Sequence, residues 1–199
     1  MKKKFTNVYQ FKITLMDIQP QIWRIIEVPE TYSFWDLHVA IQDAMGWADY
    51  HLHHFELKNP LTGIKAEIGI PDTELAYEKK ILADWKQKIA DWFTLENRLA
   101  EYVYDYGDNW EHTVKLEKIL PREESATYPR CVDGKRACPP EDCGGPWGYK
   151  ELLEIIKDKN HEEYEEKMEW LGGEFDPEHF DVKEVIFDDP VKRRKMAFG

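Results

Sequence analysis

Acids, an imidazole and large aromatics crowd one short stretch, Tyr102-Val103-Tyr104-Asp105-Tyr106-Gly107-Asp108-Asn109-Trp110-Glu111-His112. Carboxylates beside a histidine are the side chains of general acid–base chemistry and of metal coordination. A second dense segment follows, Cys138-Pro139-Pro140-Glu141-Asp142-Cys143-Gly144-Gly145-Pro146-Trp147-Gly148-Tyr149. Its paired prolines stiffen the chain, and its paired glycines permit unusual backbone angles or close backbone contact. Glu141 and Asp142 are thereby held in place. They either cap or salt-bridge Arg130 or Arg136, or supply carboxylates to the first segment. The candidate pocket is therefore Asp105, Asp108, Asn109, Trp110, His112, Glu141 and Asp142, between a Tyr102–His112 hairpin and the Pro139–Gly145 loop.

Two further groups have metal-ligand chemistry. In His51-Leu52-His53-His54-Phe55, a strand would put His51 and His53 on one face, a geometry that metals accept. Cys131, Cys138 and Cys143 are separated by six and four residues, and only the second spacing approaches a zinc knuckle. With a histidine, three thiolates complete a tetrahedral set; otherwise they are buried free cysteines. No cofactor is expected from the motifs, and zinc or another divalent ion is the one for which donors exist. The chain has no Gly-x-Ser-x-Gly elbow, no His-Glu-x-x-His, no Walker loop and no dinucleotide fingerprint.

Strand alternation divides the first segment. Trp110, His112, Val114 and Leu116 share one face of a strand over Trp110–Leu120, and Glu111, Thr113, Lys115 and Glu117 the other. His112 thus points toward apolar neighbours. It is either a core histidine satisfied by a tyrosine hydroxyl or a backbone group, or an acid–base partner of Asp105 or Asp108. Leu99–Tyr106 is the other arm of the hairpin.

Upstream, Val8–Met16 alternates as a strand with Tyr9, Phe11, Ile13 and Leu15 on the core face, and Gln21–Val28 reads as a second, central strand. Ser33 caps a helix with Asp36 in the capping-box position, and Gly46 ends it. Tyr50–Leu57 reads as a strand, and Ile64–Ile70 as a strand or extended loop. Lys79–Phe93 has a helical pattern with Trp85 and Trp92 on the buried stripe. Residues 121–148 form a proline- and glycine-rich ordered loop. Tyr149–Lys157, Glu162–Leu171 and Asp181–Phe187 read as helices, the middle one exposed. The expected fold is α+β: a mixed or antiparallel sheet with a β-grasp-like ββαβ start, a further hairpin and a helical C-terminal part. One domain spans 1–199, with a sheet core over 5–120, the loop over 121–148, a helical segment over 149–190 and a solvated basic tail over 191–199.

Charge narrows the partners. Seven of the 27 basic residues lie at the two ends, so 20 face 39 acidic ones in residues 5–191, a balance near −19. An acidic body disfavours nucleic acid, except through the basic termini. No apolar run has membrane-spanning length, and an odd count of three cysteines fits a reducing, cytoplasmic setting.

Ile22-Trp23-Arg24-Ile25, Ala44-Met45-Gly46-Trp47, His51-Leu52-His53-His54-Phe55, Tyr104-Asp105-Tyr106-Gly107-Asp108-Asn109-Trp110-Glu111-His112 and Pro139-Pro140-Glu141-Asp142-Cys143-Gly144-Gly145 occur in that order. In this the chain resembles the plasmid pRiA4b ORF-three-like family over roughly Val8 to Pro190. The resemblance implies a plasmid- or mobile-element-associated protein of uncharacterised role; some members are labelled insertion-element passenger, resolvase-like. The residues lack the arginine-rich nucleophile site of either recombinase type. The expected role is a binding or accessory domain for a protein or small-molecule partner. The alternative is a metal-dependent hydrolase or nuclease using a subset of His51, His53, Asp105, Asp108, His112, Glu141 and Asp142.

Overall fold

The computed structural model describes residues 4–71 and 81–198. Its centre is an eight-stranded sheet: β1 (Asn7–Leu15), β2 (Trp23–Pro29), β3 (His53–Lys58), β4 (Lys65–Gly69), β5 (Ile81–Ala83), β6 (Leu99–Tyr104), β7 (Trp110–Pro121) and β8 (Arg130–Lys135), ordered β5-β4-β3-β6-β7-β1-β2-β8. All neighbours are antiparallel except β4 and β5. Among the described residues five α-helices accompany it: α1 (Phe34–Met45), α2 (Ile89–Trp92), α3 (Gly145–Lys157), α4 (Tyr164–Leu171) and α5 (Pro190–Phe198). The class is α+β with a mixed sheet and a helical C-terminal part, and the chain opens β1-β2-α1-β3.

The expected local signals act as chemistry requires. Asp36 N–H donates to Ser33 Oγ and Ser33 N–H to Asp36 Oδ2, closing the capping box. Gly46 takes φ 97°, and its N–H donates to the Gln42 carbonyl. Tyr9, Phe11, Ile13 and Leu15 are buried as a set. Phe11 and Phe34 meet Phe93 at centroid distances of 4.8 and 5.8 Å, and Phe55 joins them through Phe34 at 5.1 Å. These rings sit between α1 and the sheet, where each buries a large apolar area.

Four expectations are corrected. Within Lys79–Phe93 there is no long helix: from Ile81 the chain runs as β5, a 3₁₀ turn at Asp84–Lys86 and the single turn α2, while Lys79 and Lys80 lie outside the described residues. Pairing decides this, because Ile81, Leu82 and Ala83 lie beside Glu67, Ile68 and Gly69. Residues 121–148 are not wholly loop, since β8 extends the sheet from β2. Over Asp181–Phe187 only a 3₁₀ turn forms, Val182–Glu184, and Val182, Val185 and Phe187 pack on the core as largely non-helical chain.

The basic tail is the fourth. Residues 190–198 are helix α5, docked on α1. Arg193 Nη2 lies 2.6 Å from Asp43 Oδ1 and 2.6 Å from Asp188 Oδ2, and Trp35 Nε1–H donates to the Pro190 carbonyl. Asp43 is largely buried, and burial raises its carboxyl above the usual range. The Arg193→Ala chain should lose about 2 kcal/mol of stability in urea unfolding, because a buried carboxylate loses its cation. A loss within about 0.5 kcal/mol would make the contact an ordinary surface pair.

Candidate functional site

The junction between the β6–β7 hairpin and the loop before α3 begins with backbone geometry. Asp105 and Asn109 both have left-handed φ, 58° and 54°, which Asp and Asn tolerate better than most side chains. Gly107 N–H donates to Asp105 Oδ1 at 2.8 Å, and Asn109 N–H to the Asp105 carbonyl at 2.6 Å, folding the turn back on itself. Asp105 N–H donates to the Leu52 carbonyl, tying the turn to the segment before β3.

The Pro139–Gly145 loop is clamped onto this turn. Gly144 N–H donates to Asp108 Oδ2 at 3.1 Å. Tyr104 O–H donates to Glu141 Oε1 at 3.0 Å, while Ala48 N–H donates to the same oxygen at 2.8 Å. Trp47 Nε1–H donates to the Pro139 carbonyl at 2.9 Å. Gly144 and Gly145 have φ 90° and 68°, so the paired glycines are used for both angle and close approach. Burial raises the Glu141 carboxyl, opposed by the Ala48 and Tyr104 bonds. Glu141 also helps to push the Tyr104 phenol far above its ordinary value, after burial itself.

These contacts sort the expected residues. Asp105 and Asp142 converge with His51: its Nε2 lies 3.0 Å from Asp142 Oδ1 and 3.7 Å from Asp105 Oδ2. Asp108 and Glu141 serve as acceptors that hold the loop. Asn109 stays on the turn, its Nδ2 donating to Glu111 Oε1. Trp110 and His112 leave the site entirely. Both are buried in the sheet, with Trp47 beside each, and His112 Nδ1–H donates to the Tyr102 carbonyl at 3.3 Å. Burial lowers His112 to about 4.

His51 and His53 also part, because β3 begins only at His53 and the chain bends before it. His53 Nε2 meets Asp84 Oδ2 at 2.9 Å in the core. Among the described residues, no three of the cysteines and histidines gather as ligands; the one group of three is His51, Asp105 and Asp142. Burial raises all three thiols, Cys143 to about 12.

A buried polar network joins His53 and Tyr102 to His38, Gln42 and Asp49, three residues that the sequence did not mark. The His38 and His53 rings stack in parallel at 3.4 Å. His38 bridges Tyr102 Oη and Asp49 Oδ1, each at 2.8 Å, and Gln42 Nε2–H donates to the same hydroxyl. His38 and Gln42 fall at i and i+4 on α1, so a polar pair on one face of an apolar helix was the available signal.

The Pro139–Glu141 segment lines a groove of about 470 Å³ with Met45–Trp47, Trp170, Glu174 and Phe175. Trp170 also borders a smaller cleft of about 190 Å³ beside Asp142 and Cys143. No helix among the described residues is long and apolar enough to cross a membrane.

A family model described as Plasmid pRiA4b ORF-3-like protein matches residues 7–184. Uncharacterized protein y4hQ of Sinorhizobium fredii (strain NBRC 101917 / NGR234) is 34% identical over 167 residues, covering 84% of this chain and 82% of its own length. A crystal structure of a protein of unknown function, MM3350 from Methanosarcina mazei Go1, is 54% identical with a TM-score of 0.86, covering 92% of this chain and 100% of that one. Neither name states an activity, a ligand or a partner.

Proposed function

The chain belongs to the plasmid pRiA4b ORF-3-like family, and from that premise we propose that it is a binding or accessory domain. Its groove beside the Pro139–Glu141 segment takes an arginine or lysine side chain from a partner peptide. The carrying observation is the lining: Trp47, Trp170 and Phe175 with the carboxylates Glu141 and Glu174, and no basic residue. Indole faces attract cations, most strongly a planar guanidinium, and carboxylates complete its hydrogen bonds. The Tyr104, Ala48 and Trp47 bonds fix one wall in advance, which lowers the ordering cost of binding. The acidic body steers basic partners toward the surface.

The test is a tryptophan-fluorescence titration with short peptides carrying one arginine or lysine between apolar residues. Emission should change saturably, and less so as salt rises. Trp170, about half exposed, can be replaced without opening the core. Trp170→Ala should weaken binding about tenfold, and Glu174→Gln about threefold, consistent with a cation–π contact and one partly exposed ion pair. No emission change up to millimolar peptide, or equal affinity after Trp170→Ala, would end this reading.

A further inference from the structure

The junction holds a second feature, independent of the groove. His51 Nε2 is buried and has no hydrogen-bond partner among the described residues, although two carboxylates face it. Asp105 is 5% exposed, and its Oδ1 is taken by Gly107 N–H while Oδ2 has no hydrogen-bond partner among the described residues. Asp142 is exposed and reaches in from the clamped loop. We propose that His51, Asp105 and Asp142 form a binding site for a first-row divalent cation, zinc or manganese.

Distances carry the argument. The three ligand atoms lie within 4.8 Å of one another. Ligands at about 2.1 Å from a metal are separated by roughly 3.0 Å at right angles, about 3.4 Å in a tetrahedron and about 4.2 Å when opposite. The His51 Nε2 separations of 3.0 and 3.7 Å fall inside that range. A burial gradient runs across the set, from Asp105 at 8% side-chain exposure through His51 at 30% to Asp142 at 65%. Protein ligands thus come from the inner side, and the outer positions stay open to water or a ligand, as in catalytic rather than structural sites. One imidazole with two carboxylates suits zinc, manganese or ferrous iron better than the harder calcium and magnesium. The Gly107 bond to Asp105 supplies the outer-sphere support that orients a ligating carboxylate. The glycine-held loop carries Asp142, so the ligand set exists only while the loop is seated.

The experiment is calorimetric titration of the chelator-treated full chain with ZnCl₂ and MnCl₂, with MgCl₂ alongside. Zinc or manganese should bind at one equivalent, and bound manganese should broaden its EPR spectrum. His51→Ala and Asp142→Asn should each weaken binding at least about tenfold. Asp142→Asn alters an exposed side chain, so a folded variant is available even if His51→Ala unfolds. Cys138→Ser with Cys143→Ser should leave manganese binding unchanged. Less than about a tenth of an equivalent bound, or binding that survives Asp142→Asn undiminished, overturns the site.

Discussion

The Gly145→Ala chain is expected to be less stable than the wild type by about 3 kcal/mol and to lose the seated loop. Two costs add. At φ 68° an L side chain is strained by about 1–2 kcal/mol. A Cβ at position 145 would also stand 2.4 Å from the Asp108 carbonyl oxygen, where neither backbone can yield without separating loop from hairpin. Gly172→Ala is the matched comparison: its φ is 71°, but nothing lies within 4 Å of the added carbon. It should cost only the backbone strain. Urea unfolding of both chains therefore isolates the contact. If Gly145→Ala costs no more than Gly172→Ala, the loop is not pressed against the turn. Because Asp142 and Glu141 ride on this loop, Gly145→Ala should also weaken manganese binding and the peptide titration together.

Acid should destabilise the fold well above the range where carboxylates protonate. Burial holds both His53 and His112 neutral, lowering each to about 4 from an ordinary 6.5. Between those values the unfolded chain binds protons that the folded chain refuses, so stability rises with pH across the window and is lost as pH falls through it. Each pH unit removes about 1.4 kcal/mol per histidine. From pH 7.5 to 5 the pair should cost roughly 3–4 kcal/mol. Asp43 and Glu141, both raised by burial, act in the opposite sense at the lower end of the window. Substituting one histidine separates the contributions: His112→Phe should remove about half of the slope in urea midpoints measured at pH 7.5, 6 and 5. An unchanged slope would mean that His112 takes up its proton in the folded chain as readily as in the unfolded one.

What could be read from the sequence follows from where the physics is local. The capping box at Ser33–Asp36, the alternation of Tyr9–Leu15 and the left-handed stop at Gly46 are set by neighbours within four residues. Long-range pairing sets the rest. Ile81–Ala83 joins the sheet because β4 offers an edge, and Arg130–Lys135 does so beside β2; neither edge is visible from composition. The site was half legible. Asp105, Asp142 and His51 were each named, yet strand alternation paired His51 with His53, and a bend before β3 undoes that. His112 and Trp110 were drawn into the pocket by their company in sequence, although their own face is the sheet interior. Trp170 comes from a helix with no buried residue, and Glu174 from the chain just after it, so nothing in the pattern marked them as the wall of a groove.

A cationic side chain should bind in the groove and not on the acidic surface at large. Indole N–H resonances report it residue by residue. On titration with an arginine-containing peptide, the Trp170 and Trp47 signals should shift together and saturate. Trp147, 83% exposed and outside the groove, should stay in place. A shift at Trp147 alone, or no indole shift at millimolar peptide, would contradict the account.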